Sequence, residues 1–213
     1  MSQLWDYMLA RQGAMTRTLE QWVMLESPSN EQEAVNALGD LVGLAFKGAG
    51  AVVERLPQAA FGDHLRISWG QGDRQLLVLG HMDTVWPLGE VQRRPFRLSQ
   101  GKATGPGAFD MKGGLVVALY TVMALQELGL KPAHRLVFLF NSDEEVGSLT
   151  SRPFIEKEAQ RSEAVLVLEP SRDGALVTWR KGVGRFELEV QGVASHAGAA
   201  HERGVSAVQE LAH

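Results

Sequence analysis

Leu76-Leu77-Val78-Leu79-Gly80-His81-Met82-Asp83-Thr84-Val85 is the stretch on which the reading of this chain turns. Four apolar residues in a row read as a buried strand. The run stops at Gly80, and His81 and Asp83 follow at once. Side chains two apart on an extended segment point the same way, so this strand end carries an imidazole with a carboxylate beside it. A metal-binding histidine needs that neighbour, because its second ring nitrogen must be held by an acceptor. The plain alternative is a surface His-Asp pair at a strand end, and the rest of the chain has to decide.

Outward from this strand, apolar runs alternate with helical patterns. Residues 4 to 25 read as a helix with Gly13 as a break. Ser29 and Gln32 form a capping box for a second helix that stops near Gly48-Ala49-Gly50. Strands are predicted at about 51 to 56, 64 to 70 and 74 to 80, and a short hairpin around Gln100-Gly101. Gly105 to Gly114 leads into an apolar helix, Leu115 to Leu128, with Gly129 at its C-cap. Arg135 to Phe140 is another buried strand, and a helix around 150 to 160 leads to a further strand, Ala164 to Leu168. Strands alternating with helices predict an α/β layered domain.

The chemistry sits at the strand ends. Three apolar strands end in His81/Asp83, Glu144/Glu145 and Glu169, and a glycine-rich turn carries Asp110. In α/β sheets the loops beyond the strand C-termini form the ligand crevice. Carboxylates gathered there repel one another and raise each other's pKa, a cost that a bound divalent cation removes. The chain has no cysteine, so thiolate sites and disulfides are excluded. Mixed His and carboxylate ligation suits zinc or a similar first-row metal. Gly105-x-Gly107 resembles half of a phosphate-binding loop, but Asp110 replaces the third glycine and would repel a phosphate. Asp143-Glu144-Glu145 alone reads as a solvated acidic turn; the conjunction argues otherwise.

The bulk numbers agree with an ordinary globular domain. The chain has 213 residues, 45% hydrophobic and 22% charged, enough for a sizeable core. Its net charge of -4 makes no case for nucleic acid or an anionic membrane as partner. The first residues lack a basic segment followed by a long apolar one, so no signal peptide is expected, nor a run of the roughly 20 residues that span a bilayer. A cytoplasmic protein is the expectation.

Taken together, His81-Met82-Asp83-Thr84-Val85, Gly105-Pro106-Gly107-x-x-Asp110-x-Lys112-Gly113-Gly114, Phe140-Asn141-x-Asp143-Glu144-Glu145-x-Gly147-Ser148 and Glu169-Pro170 resemble the successive signatures of the dizinc metallopeptidase family. That family includes glutamate carboxypeptidase, acetylornithine deacetylase, succinyl-diaminopimelate desuccinylase and aminoacylase. The resemblance is strongest to the glutamate carboxypeptidase branch. Gly192-Val193-Ala194-Ser195-His196-Ala197-Gly198 resembles the start of the family's lid.

The resemblance implies a mixed-sheet zinc-peptidase domain over residues 1–180 and the start of an α+β, ferredoxin-like lid over 181–213, with Gly184 to Val190 as the lid's first strand. By the same resemblance His81 and Glu169 bind one zinc, Asp110 bridges two, and Glu145 binds the second. Asp83 orients His81, Glu144 is the general base, and the Asp110-Met111 peptide is cis. His196 resembles the lid histidine that contacts substrate in the partner's site of a family homodimer. Cobalt or manganese would fit the same ligands as zinc. The substrate implied is a small N-acyl amino acid, with release of a C-terminal glutamate; an N-acetyl-amino-acid deacylase is the alternative. Family members run well beyond 213 residues and supply a last histidine ligand there, which His201 and His213 do not match. The chain is therefore expected to be an N-terminal portion, with a natively truncated, non-catalytic binding protein as the contrasting reading.

Overall fold

In the computed structural model, which describes residues 3–184 and 186–213, the chain separates into two compact units, Met1–Ser171 and Arg172–His213. The first unit begins with two helices, α1 (Gln3–Met24) and α2 (Gln32–Gly48). Gly13 does not break α1. An interior glycine costs a helix about 1 kcal/mol, and α1 recovers this through contact with α4 (Gly113–Glu127), where Thr18 Oγ1 meets Tyr120 Oη at 3.1 Å.

Five strands form one mixed sheet: β1 (Val52–Leu56), β2 (His64–Trp69), β3 (Arg74–His81), β6 (His134–Asn141) and β7 (Ala164–Val167), in the order β1-β2-β6-β3-β7. The hairpin β4 (Arg97–Ser99) and β5 (Lys102–Thr104) stands apart. Between β3 and β4 lies one short helix, α3 (Glu90–Arg93). β1, β2 and β6 pair antiparallel, whereas β6, β3 and β7 run parallel. The parallel strands are therefore the ones whose C-terminal ends share one edge.

Alternation along the strands sorts the core into two layers. Leu76, Val78, Leu136, Phe138 and Phe140 pack with Val35, Leu38, Val42 and Phe46 of α2 and Leu115 and Leu119 of α4. The intervening Leu77, Leu79, Val137 and Leu139 pack with Phe154, Ile155 and Ala159 of α5 (Arg152–Gln160) on the other face. Burial on both faces explains why β3 and β6 read as continuous apolar runs rather than alternating ones. Ala108–Glu127, which contains α4, is long and apolar enough to cross a membrane by length and composition alone. Here seven residues of α4 are buried in the protein core.

In the second unit, α6 (Ala207–Ala212) is capped by Ser206, whose Oγ accepts the Gln209 N–H, and Val193 bridges Val205. The expected strand Gly184 to Val190 is not formed: the described residues of that segment pair with nothing, and Arg185 lies outside the described residues. Phe186 and Leu188 are exposed. A strand exists only through a partner that takes its N–H and C=O groups.

Candidate metal centre

The parallel ladder builds the site. Leu79 pairs with Val167, so two residues further on His81 and Glu169 come level on neighbouring strands. Adjacent strands lie about 4.8 Å apart, and His81 Nε2 lies 3.4 Å from a Glu169 carboxylate oxygen. On the other side His81 pairs with Asn141, the last residue of β6, which places the Asp143-Glu144-Glu145 turn at the same edge. The fourth contributor is the wide turn Ala108–Lys112, which leaves helical backbone at Asp110 and Met111; the peptide between them is cis, as the resemblance implied. Gly114 lets this turn approach the sheet, because a Cβ there would lie 2.3 Å from the Leu168 carbonyl oxygen. Asp110 Oδ1 thereby reaches 3.0 Å from His81 Nε2.

His81, Asp110 and Glu169 present ligand atoms within 4.8 Å of one another. Glu144 stands next, its Oε2 3.9 Å from His81 Nε2. Glu145 stands outside that trio. It lines a groove of about 400 Å³ with Pro28 to Glu31 on one side and Thr84 to Leu88 on the other. His196, exposed and in the second unit, accepts the N–H groups of Gly198 and Ala199 at 3.1 and 3.0 Å through Nδ1.

Asp83 organises this edge from beneath. It is fully buried. Its backbone carbonyl accepts His81 Nδ1–H at 2.9 Å, and its Oδ1 lies 3.4 Å from the same nitrogen. Its carboxylate also accepts the backbone N–H groups of Glu144 and Glu145 at 3.2 and 3.1 Å, and the Ser29 hydroxyl at 2.7 Å. The expected capping box is thus replaced: α2 has no side-chain cap, Ser29 Oγ is committed to Asp83, and Gln32 Nε2 donates to the Gln58 carbonyl. The helix opens at Gln32 with Glu31 at its N-cap position, so Ser29 stands two residues too early to cap it.

The electrostatics ask for a cation. Burial alone would lower the His81 pKa, but hydrogen bonds to the Asp110, Asp83 and Glu169 carboxylates overrule it and push the imidazole up to about 12. Glu144 is raised by burial and then by repulsion from Glu169, Asp83 and Asp110. Glu145 is raised by burial and then by Asp110, Asp83 and Glu144. One imidazole and a crowd of carboxylates, with no thiolate in the chain, is the donor set of a hard-to-borderline divalent metal. The residues present therefore fit such an ion, with His81, Asp110 and Glu169 as the group that could hold it.

Lys112 closes the back of the turn. Its Nζ is buried and donates to the Leu25 carbonyl at 2.7 Å. Burial pushes this ammonium down to about 7, against the opposing pull of Glu26. Glu26 in turn accepts the N–H groups of Gly89 and Val91, each at 2.8 Å, at the start of α3.

Comparison with known proteins decides the family. The model of the peptidase family M20/M25/M40 matches residues 77–213. The chain belongs to this family. It is 38% identical over 205 residues to carboxypeptidase G2 of Pseudomonas sp. (strain RS-16), covering 93% of this chain and 49% of that protein. It is 34% identical over 196 residues to acetylornithine deacetylase of Shigella sonnei (strain Ss046), covering 88% of this chain and 50% of that one. The chain thus spans about half the length of these curated relatives. Among solved structures, aminopeptidase PepT from Bacillus cereus ATCC 10987 superposes with a TM-score of 0.69 at 19% identity, over 94% of this chain and 55% of that chain. Human carnosine dipeptidase 1 does so with a TM-score of 0.68 at 20% identity, over 78% and 40%. These two likenesses speak to the fold. M20 enzymes are metal-dependent hydrolases, which agrees with the donor set at the strand ends.

Proposed function

We propose that this chain forms the N-terminal part of a zinc-dependent hydrolase that cleaves the amide bond of an N-acyl amino acid and releases a C-terminal glutamate. The observation that carries the reading is the convergence of His81, Asp110 and Glu169 within 4.8 Å, with the Glu144 carboxylate 3.9 Å from His81 Nε2. The 38% identity to a protein named carboxypeptidase G2 supports the carboxypeptidase type.

A bound metal pair would supply Lewis acidity, lowering the pKa of water and polarising the scissile carbonyl. His81, Asp110 and Glu169 would hold one ion, and Asp110 and Glu145 would serve a second. Glu144 takes the proton from the attacking water and returns it to the departing amine nitrogen. Asp83 fixes the ring of His81 through Nδ1 and, through two backbone N–H groups, fixes the turn that carries Glu144. Residues 181–213 begin the lid, in which His196 contacts the substrate across a homodimer. Zinc is the proposed metal, with cobalt or manganese compatible with the same donors.

The test is release of glutamate from N-acyl-glutamates by zinc-loaded protein, compared with Glu144→Ala. The variant should retain its metal and lose about 10²–10⁴-fold in turnover. Near-normal turnover would remove Glu144 from the role. The 34% identity to an acetylornithine deacetylase supports a second reading, N-acetyl-amino-acid deacylation. Hydrolysis of N-acetylornithine in preference to N-acyl-glutamates would favour it.

A further inference from the structure

His64 opens β2 and is fully buried. No motif singled it out. It lies behind the Glu144 turn because β2 and β6 pair antiparallel, with Leu65 opposite Phe140. The Ser142 backbone N–H donates to His64 Nδ1 at 3.2 Å. That nitrogen is therefore an acceptor, and the ring proton sits on Nε2, 3.1 Å from Thr150 Oγ1. The Thr150 hydroxyl passes the chain on, donating to Asp143 Oδ2 at 2.9 Å. The same oxygen accepts the N–H groups of Thr150 and Ser151 at 2.6 and 3.2 Å. Ser142 Oγ lies 3.0 Å from Nδ1 and also reaches the Gly62 carbonyl. The ring packs edge-on against Phe154 of α5, with centroids 5.9 Å apart.

The turn that carries Glu144 is thus held from two strands. Asp83 of the β3 end holds Glu144 and Glu145 by their own N–H groups. His64 of β2 holds the two residues just before them, Ser142 directly and Asp143 through Thr150. We propose that His64 is a positioning residue for the hydrolytic reaction: it sets where the Glu144 carboxylate stands relative to His81. The proposal rests on the reading of Glu144 as general base. A misplacement of about 1 Å at a reacting group is enough to cost on the order of 10²-fold in rate. Neutral imidazole suits the role, since one ring nitrogen must accept while the other donates.

Two substitutions separate positioning from bulk. His64→Leu removes the hydrogen bonds to Ser142 and Thr150 and leaves an apolar side chain of similar size. His64→Asn offers an oxygen that can still accept the Ser142 N–H. In zinc-loaded protein turning over an N-acyl-glutamate, His64→Leu should lower kcat about 10–100-fold with KM and zinc content unchanged. His64→Asn should recover part of that loss. Turnover is measured on the whole protein of which this chain is proposed to be the N-terminal part, and hydrogen exchange followed by mass spectrometry on that protein gives a readout that needs no activity. Peptides spanning residues 142–150 should exchange faster in His64→Leu, while those of β3 and α4 keep their protection. Thr150→Val, which removes the hydroxyl between His64 and Asp143 and leaves the Ser142 bond, should show the same local loosening and serves if His64→Leu does not fold. A His64→Leu protein with unchanged kcat and only a lowered Tm would overturn the proposal, as would unchanged exchange over 142–150. If the unmodified whole protein hydrolyses no N-acyl amino acid, the proposed function falls, and the exchange data alone then decide whether His64 holds the turn.

Discussion

Ser29→Ala tests whether Asp83 is the organising carboxylate of this site. Ser29 and Asp83 are both buried, and the hydroxyl donates to Asp83 Oδ2 at 2.7 Å. A hydrogen bond to a charged group contributes about 1.5–3 kcal/mol. The carboxylate keeps the Glu144 and Glu145 N–H groups after the substitution, so the loss is one charge-assisted bond and not a stranded charge. Ser29→Ala should therefore destabilise the fold by about 1.5–3 kcal/mol, lowering the folding equilibrium roughly 10- to 150-fold. For a unit of this size the Tm should fall by roughly 3–12 °C. Urea denaturation of the metal-free chain, followed by far-ultraviolet circular dichroism, measures it. Repeating the substitution in an Asp83→Asn background sharpens the test. An amide oxygen still accepts, but a neutral bond is about half as strong, so the cost there should drop by about half. Equal cost in both backgrounds, or a loss under about 0.5 kcal/mol in the first, would refute the assignment.

Gly114→Ala places a Cβ 2.3 Å from the Leu168 carbonyl oxygen; overpacking of this kind costs about 1–3 kcal/mol, and because Leu168 precedes Glu169 the variant should also bind zinc more weakly in a competition titration. Glu158 gives a pH dependence. Burial alone would raise its pKa, but hydrogen bonds from Arg66 and Gln75 and the charges of Arg66 and Arg161 hold it below the ordinary carboxylate range. A depressed folded pKa means stability present above the unfolded value, about 4.3 for glutamate, and lost as pH falls through the folded one. As pH falls below about 4.3, the urea midpoint should drop more steeply in the unmodified chain than in Glu158→Gln. Asp83→Asn should weaken zinc binding by about 10–100-fold, the usual cost of losing a group that orients a histidine ligand; unchanged affinity would take Asp83 out of that role.

What could be read from the sequence was local. β3 and β6 were visible because burial on both faces makes them continuous apolar runs, and the residues after them were visible because each strand ends where its chemistry begins. What stayed hidden was nonlocal or competitive. Ser29 and Gln32 had the spacing of a capping box, yet Ser29 lies against Asp83, 54 residues away in sequence, and no spacing rule announces that acceptor. His64 was read as part of a strand, and its place behind Ser142 depends on the β2–β6 register, which sequence does not state. Gly13 marked a break by propensity, and packing of α1 on α4 outweighed it. The segment from 186 to 190 has strand composition and, among the described residues, no strand pairs with it.

The two supports of the Glu144 turn divide the chemistry. Asp83 touches both halves of the site: it faces the imidazole of His81, and it holds the N–H groups of Glu144 and Glu145. Disturbing it should move metal ligation and proton transfer together. His64 reaches the turn from β2, on the other side of β6, and among the described residues its hydrogen bonds go to Ser142 and Thr150. Disturbing it should move the base and leave the ligands where they are. Zinc affinity and turnover therefore ought to fall together when Asp83 is changed and separately when His64 is changed. That separation follows from topology. β3 delivers the histidine proposed as ligand and β6 the glutamate proposed as base, and the Asp83 carboxylate ties the first strand end to the Glu144 and Glu145 N–H groups that follow the second.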